Sequence, residues 1–405
     1  MKFSAAYSYN SGPSWSLDPR CKHLNHGSFG AVPVEVQAEQ NRLRTLMEQN
    51  PVSWFSAAHE RVGRAREEMA RLLGVDQSHL AFVFNVSAGA SVVFQRFMAQ
   101  SPVHTLVTDH GYGAVSMGAR RLSQRTGGTF NVASVPLNAT AMEVLDILTE
   151  KMQSIPPGLL VIDQVTSATA RRFPTNEICK KARELGFTTL VDGAHSPGVL
   201  ENPICFDADY WVGNLHKFAC APRGAALLYS RDADQELFPL IDSWGAELEF
   251  PKRFDHTGTM DTTAWLTAPF AWSLIDKMVG WDKVRQWSSR LADEGEKILD
   301  VTLRQWMDDP FPDVGQKVGP LRLARLPLGL GRTREQSDAL RIPLIEATGI
   351  ALSFTSFHGQ GFLRFSTHIY NSLSDFDYLA SEGLPLLHQW ASQVSTEPNI
   401  MNNKN

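Results

Sequence analysis

Between residues 80 and 229, short and continuously apolar runs alternate with stretches of helical periodicity, and this alternation limits the fold more than any other feature. Residues 80–86 (LAFVFNV), 105–108, 159–163 (LLVID), 189–192, 209–213 and 225–229 read as strands, and helical patterns begin at 87–95 or fill 114–123 and 175–185. A strand that is apolar without alternation is covered on both faces. The chain is therefore expected to be α/β, with a mostly parallel sheet between helices and its active residues at the carboxyl ends of the strands.

After residue 262 the pattern changes. A long amphipathic helical region over 264–306 precedes strands at 321–326, 350–355 and 362–366, with a helix at 333–347, which reads as a smaller α+β domain. Gly329–Gly331 (GLG) is a turn, because no third glycine follows at dinucleotide-fingerprint spacing. The expected organisation is an N-terminal segment over 1–23 packing near the small domain, a large domain over 24–264, a linking helix and small domain over 265–393, and a flexible polar tail over 394–405.

Lys plus Arg number 38 against 43 Asp plus Glu, interspersed rather than blocked, so no nucleic-acid partner is expected. The N-terminus breaks into Asn, Ser, Gly and Pro before an apolar signal region forms, and no run approaches the roughly 20 apolar residues of a membrane helix, so a cytoplasmic chain without membrane contact is expected. Cys21, Cys179, Cys205 and Cys220 are too few and too scattered for a disulfide framework or paired zinc ligands. His23 and His26 lack the further ligands a metal needs, and no metal site is expected.

The most informative stretch is 191–217, VDGAHSPGVLENPICFDADYWVGNLHK. Asp192 ends one predicted strand, and Lys217 follows another inside an apolar run, WVGNLHKFACAP. A buried amine can bond an aldehyde cofactor, and a buried carboxylate can keep a pyridine nitrogen protonated, so the pair describes a pyridoxal 5'-phosphate (PLP) site. Ser87, Ala88 and Gly89 open a helix directly after a strand, where free amides and the helix dipole suit an anion, and Ser87 is also a candidate N-cap. Arg364 stands inside an apolar strand, LRFS, which is costly unless it meets a partner or ligand.

With LNHGSFG at 24–30, NVSAGAS at 85–91, TDHGYGAV at 108–115, VDGAHSPG at 191–198, NLHK at 214–217, HTGTMD at 256–261 and LRFSTHIYN at 363–371, the chain resembles fold type I PLP enzymes of the class V aminotransferase group. Within that group it is similar to the branch typified by isopenicillin N epimerase and cysteine-conjugate C–S lyases. The resemblance implies a seven-stranded large-domain sheet, Lys217 as the Schiff-base lysine, Asp192 at the pyridine nitrogen and His195 beside the ring. Tyr112 would stack over the ring, Ser167 would contact its oxygen, and Ser87, Ala88, Gly89, Asn214 and His216 would hold the phosphate. Thr259 would reach the phosphate from a neighbouring subunit, implying a homodimer with shared active sites; Met260 stands where the group commonly has arginine. Asn25 and His26 would cover the substrate, and Arg364 would grip its α-carboxylate. Residues 353–362 (SFTSFHGQGF) contain no cysteine where desulfurases of the group carry a mobile one. The implied reaction is C–S cleavage of an amino acid or cysteine conjugate by β-elimination. Epimerisation, decarboxylation-dependent oxidative deamination and transamination are the alternatives.

Overall fold

A computed structural model describes residues 12–396, so residues 1–11 of the expected N-terminal segment and 397–405 of the expected tail lie outside the described residues. The N-terminal stretch supplies strand β1 (Lys22–His23). The large sheet then follows: β2 (Leu80–Val83), β3 (Thr105–Thr108), β4 (Phe130–Ala133), β5 (Leu159–Asp163), β6 (Thr188–Asp192), β7 (Tyr210–Asn214) and β8 (Ala226–Ser230). Its order is β2-β8-β7-β6-β5-β3-β4, with β8 antiparallel to both neighbours and the other pairings parallel.

The apolar strands follow from two covered faces. Leu106, Leu160, Ile162, Val191 and Trp211 pack into one core cluster together with helical residues such as Val144, Ile178 and Trp265. Their neighbours Val107, Leu159, Val161, Leu190 and Val212 enter the opposite cluster with Val93 and Leu122. Edge strand β4 is the one the apolar runs do not reveal. Three of its four residues are at least partly exposed, so nothing forces its composition.

The small domain is the antiparallel sheet β11-β12-β9, built from β9 (Leu321–Arg325), β11 (Ser353–Phe357) and β12 (Gln360–Ser366). Strand β10 (Ile350–Ala351) pairs in parallel with β1. Two expected helices are each broken in two. Region 264–306 is Thr263–Met278 and Trp281–Leu303, separated at Gly280, whose φ of 89° interrupts the helical backbone. Region 333–347 is Arg334–Ala339 and Arg341–Thr348. Pro343 explains that break, since its ring would clash with the carbonyl of residue 339 in a continuous helix. The terminal helix runs Leu384–Thr396, past the expected end of structure at residue 393.

A buried ion pair ties the large domain's helical layer together. Arg66 on helix Ala58–Leu73 donates to Asp255 at 3.0 Å from both Nε and Nη2, and both side chains are buried.

Candidate active site

A cleft of about 600 Å³ opens at the carboxyl ends of β5, β6 and β7, closed on its far side by β11, β12 and helices Arg334–Ala339 and Arg341–Thr348. Its volume lies within the usual range of small-molecule sites. Asp163 and Asp192 face each other as register partners at the ends of β5 and β6. Strand β7 ends at Asn214, and the turn that follows delivers Lys217. That turn closes by Cys220 N–H donating to Lys217 O at 3.0 Å, with Cys220 in the left-handed region at φ 59°.

The LNHGSFG loop lies directly on this lysine turn. A Cβ on Gly30 would come within 2.5 Å of Lys217 O and 2.7 Å of His216 O, so only glycine fits there. The same loop presents Gly27 O to His195 Nε2 at 2.9 Å and Ser28 Oγ to Arg364 at 2.8 Å. His195 Nε2 is also 3.2 Å from Lys217 Nζ.

Burial and neighbouring charge set the protonation states. Burial, then the Arg364 charge, lower the Lys217 pKa to about 8 against the opposing pull of Asp192 and Asp163. Burial pushes Asp192 up, and it pushes Asp163 well above the usual carboxylate range with Asp192 adding to the effect. Burial, followed by the Lys217 charge, drops His195 well below its ordinary value and His216 to about 4, so both rings are neutral near pH 7. Arg364 is 2% exposed and donates to Ser167 O at 2.6 Å and Ser28 Oγ at 2.8 Å, while its Nε has no partner. Among the described residues no carboxylate pairs with it, which leaves a buried cation that an incoming carboxylate would neutralise.

Lys217, Asp192, His195, Tyr112, Ser167, Asn214, His216, Ser87 and Arg364 all line this cleft. Tyr112 is 44% exposed and is therefore no core residue. Ser167 accepts from Arg364. Asn214 Oδ1 accepts from Val86 N–H at 3.1 Å, fastening the lysine strand to the start of helix Val86–Phe97.

Several expectations are corrected. The N-cap of that helix is Asn85, whose side chain accepts from Ala88 N–H at 2.9 Å, and not Ser87. Ala88 and Gly89 turn away from the cleft: the Ala88 amide is already bonded, and a Cβ on Gly89 would meet Val212 at 2.7 Å, so that glycine serves helix-to-strand packing. Asn25 and His26 are buried behind the cleft wall. Asn25 donates to Leu352 O, while His26 bridges Tyr370 Oη and Lys217 O. Their loop covers the cleft through Gly27, Ser28 and Phe29 instead. Thr259, which the resemblance assigns to a neighbouring subunit's site, is exposed and lies away from the cleft of its own chain. Sequence reasoning missed Asp163 and Asn85; the strand-end position of Asp163, one strand from Asp192, was the available signal.

Behind the cleft, His26, Cys220 and His368 bring their ligand atoms within 4.8 Å of one another. The two imidazoles stack at 4.2 Å with planes only 12° apart, so their in-plane lone pairs cannot converge on one ion. With His26 already bonded to Lys217 O, the trio acts as packing beneath the lysine turn.

The cleft fits the PLP group at three points. Helix Val86–Phe97 turns its N-terminus and Ser87 toward it. Asp192 Oδ2 is a buried acceptor without a partner, suited to a protonated ring nitrogen, and Lys217 supplies the amine. A family model, aminotransferase class V, matches residues 34–305. The chain belongs to the class V aminotransferase family. With the family comes its cofactor, pyridoxal 5'-phosphate.

Isopenicillin N epimerase of Streptomyces clavuligerus is 27% identical, covering 90% of this chain and 94% of its own length. Putative L-cysteine desulfhydrase 1 of Oryza sativa subsp. japonica is 26% identical over 88% of this chain and 81% of its own. Among solved structures, the cystine C–S lyase C-DES in complex with its product cysteine persulfide superimposes with a TM-score of 0.73 at 19% identity, covering 90% of this chain and 97% of that one. A mutant of C-DES carries glycine covalently linked to its PLP cofactor. At that identity the likeness establishes the fold, the fold type I α/β architecture.

Proposed function

We propose that this chain is a C–S lyase that expels a thiol from Cβ of cysteine or a cysteine S-conjugate. The observation that carries the reading is the pairing, in one cleft, of a buried amine of lowered pKa with a buried guanidinium that no carboxylate among the described residues neutralises. When bound, PLP supplies an electron sink that accepts the pair released as a bond to Cα breaks. Arg364 holds the α-carboxylate, fixing the amino acid with Cα toward Lys217. Lys217, neutral in a substantial fraction near pH 7.5, takes the Cα proton. The Cβ–S bond then breaks with its electrons leaving on sulfur, and uptake of one water gives pyruvate and ammonium. With the group bound, Asp192 would keep its ring nitrogen charged, and neutral His195 beside Lys217 leaves the proton on the amine.

The desulfhydrase relatives support elimination. So does the cysteine inventory: Cys220 is wholly buried with its thiol pushed up by burial, unsuited to receive sulfur as a desulfurase nucleophile does. Epimerisation is the second reading, supported by the epimerase relatives; it needs the Cα proton returned to the opposite face. In either reading a second copy of the chain donates Thr259, completing a homodimeric site.

Incubation of the holoenzyme with S-substituted L-cysteines separates the two. Release of stoichiometric thiol and pyruvate is expected. Solvent deuterium entering Cα with racemisation, and no thiol released, would overturn elimination in favour of epimerisation.

A further inference from the structure

The outer wall of the cleft carries more positive charge than the chemistry at Cα requires. Arg334 and Arg341 both line it from the small-domain helices, and Asp338 lies between them, 2.7 Å from Arg341 Nη2 and 3.7 Å from Arg334 Nε. Asp338 is the carboxylate both guanidiniums share, with exposed Glu335 beside Arg334 away from the lining. Arg341 Nε is buried and has no hydrogen-bond partner. Arg334 spans the cleft mouth: a Cβ built on Gly113, at the start of helix Gly113–Thr126 across the cleft, would lie 3.1 Å from its Nη1. Arg341 also sits close enough to Arg364 for its charge to depress the Arg364 pKa, so the two cations belong to one electrostatic field. Arg364 alone is enough for an α-carboxylate. A ligand with a single carboxylate, held by Arg364, leaves Arg334 and Arg341 with no anion but Asp338 in salt-bridge reach among the described residues.

We propose that Arg341, assisted by Arg334 and oriented by Asp338, forms a second anion subsite that selects cysteine S-conjugates whose sulfur substituent ends in a carboxylate. The inference rests on the cleft being the substrate site described above. Arg334, Asp338 and Arg341 all lie on the two short helices of the small domain, Arg334–Ala339 and Arg341–Thr348. Asp338 pairs with Arg341 at 2.7 Å and lies 3.7 Å from Arg334, and Arg341 offers a planar fork that a carboxylate matches better than any neutral group does.

The test compares S-carboxymethyl-L-cysteine with S-carbamoylmethyl-L-cysteine, nearly equal in shape and different in charge. Dissociation constants for the holoenzyme are read from the rapid change in the visible cofactor spectrum on stopped-flow mixing. The wild-type protein is expected to bind the acid about tenfold more tightly than the amide, the discrimination a charge-assisted hydrogen bond gives. The preference should shrink with added salt, because the Arg341 side chain is 36% exposed. Arg341→Gln is expected to abolish it and Arg341→Lys to keep part of it. Equal affinities in the wild-type protein, or a preference surviving in Arg341→Gln with an unchanged melting temperature, would overturn the proposal. Should Arg341→Gln fail to fold, Arg334→Gln gives the same reading, with loss of at least half the preference expected and full retention refuting it. Because affinity is read from the rapid spectral change on mixing, before thiol leaves, an acid preference with no thiol release sinks only the elimination reading. Thiol released from both probes, bound equally, sinks only the subsite.

Discussion

The reactivity of Lys217 should be set partly by an arginine on the other domain, and Arg364→Gln isolates that effect. Lys217 has a pKa lowered to about 8, first by burial and then by the Arg364 charge. At pH 7.5 a group with that pKa is neutral in about a quarter of molecules, against about one in a thousand for an ordinary lysine. Removing a like charge of this kind moves a buried amine up by about one unit, which cuts the neutral fraction to about 3% and slows attack on an aldehyde roughly eightfold. The assay adds PLP to the apoprotein across pH 6.5–10, traps the bound cofactor with borohydride at short times and quantifies the pyridoxyl label on Lys217 by peptide mass. The wild-type rate should inflect near pH 8, and the Arg364→Gln inflection should lie higher. Arg364→Lys keeps the charge but loses the two-pronged grip, so it should inflect near the wild-type value while binding substrate carboxylates poorly. An unmoved or lowered inflection in Arg364→Gln would refute the coupling. No label on Lys217 at any pH would refute the site.

The same depressed pKa has a stability consequence. Between pH 8 and 10.5 the unfolded chain holds a proton on Lys217 that the folded apoprotein has released, so the wild-type apoprotein should gain roughly 3 kcal/mol over that window relative to Lys217→Met in urea unfolding. Gly30→Val drives a side chain into Lys217 O and should cost about 1–3 kcal/mol, read as a lowered melting temperature together with weaker PLP binding. Arg66→Leu leaves Asp255 buried without its partner and should cost about 3–5 kcal/mol in denaturant unfolding with little change in the holoenzyme's spectrum per folded molecule. Asp192→Asn removes the carboxylate beside the ring nitrogen and should lower kcat by about a hundredfold or more while leaving the borohydride label on Lys217 in place.

Residues could be read from the sequence where burial made them anomalous for their type. Lys217 in WVGNLHKFACAP and Arg364 in LRFS are cations inside apolar runs, and an isolated charge there is too costly to be incidental. Strands buried on both faces were readable for the same reason, and the half-exposed edge strand β4 was not. The failures cluster where short-range patterns have two physical outcomes. Ser87 and Asn85 are both good caps two residues apart, and the choice turned on which backbone entered the helix first. Gly89 could serve an anion or a neighbouring strand, and Val212 decided it. His26 lies in the loop that covers the cleft, yet its neighbours Gly27 and Ser28 reach the site while its ring turns back to support the lysine turn.

Arg341 shows the limit most clearly, because in REQSDALRIPL it is an ordinary charge on a polar helix. Only the break before it, enforced by Pro343, points that helix start at the cleft, where it meets the charge of an arginine 23 positions later in the chain. A cation's role can be inferred from sequence when its immediate neighbours make it expensive. When the expense arises from a distant residue, as between Arg341 and Arg364, it becomes visible only after the small domain has folded over the sheet. Specificity determinants of this kind should therefore be sought among the exposed charges of the small domain, and the lysine and aspartate of the large domain fix what chemistry those charges can select for.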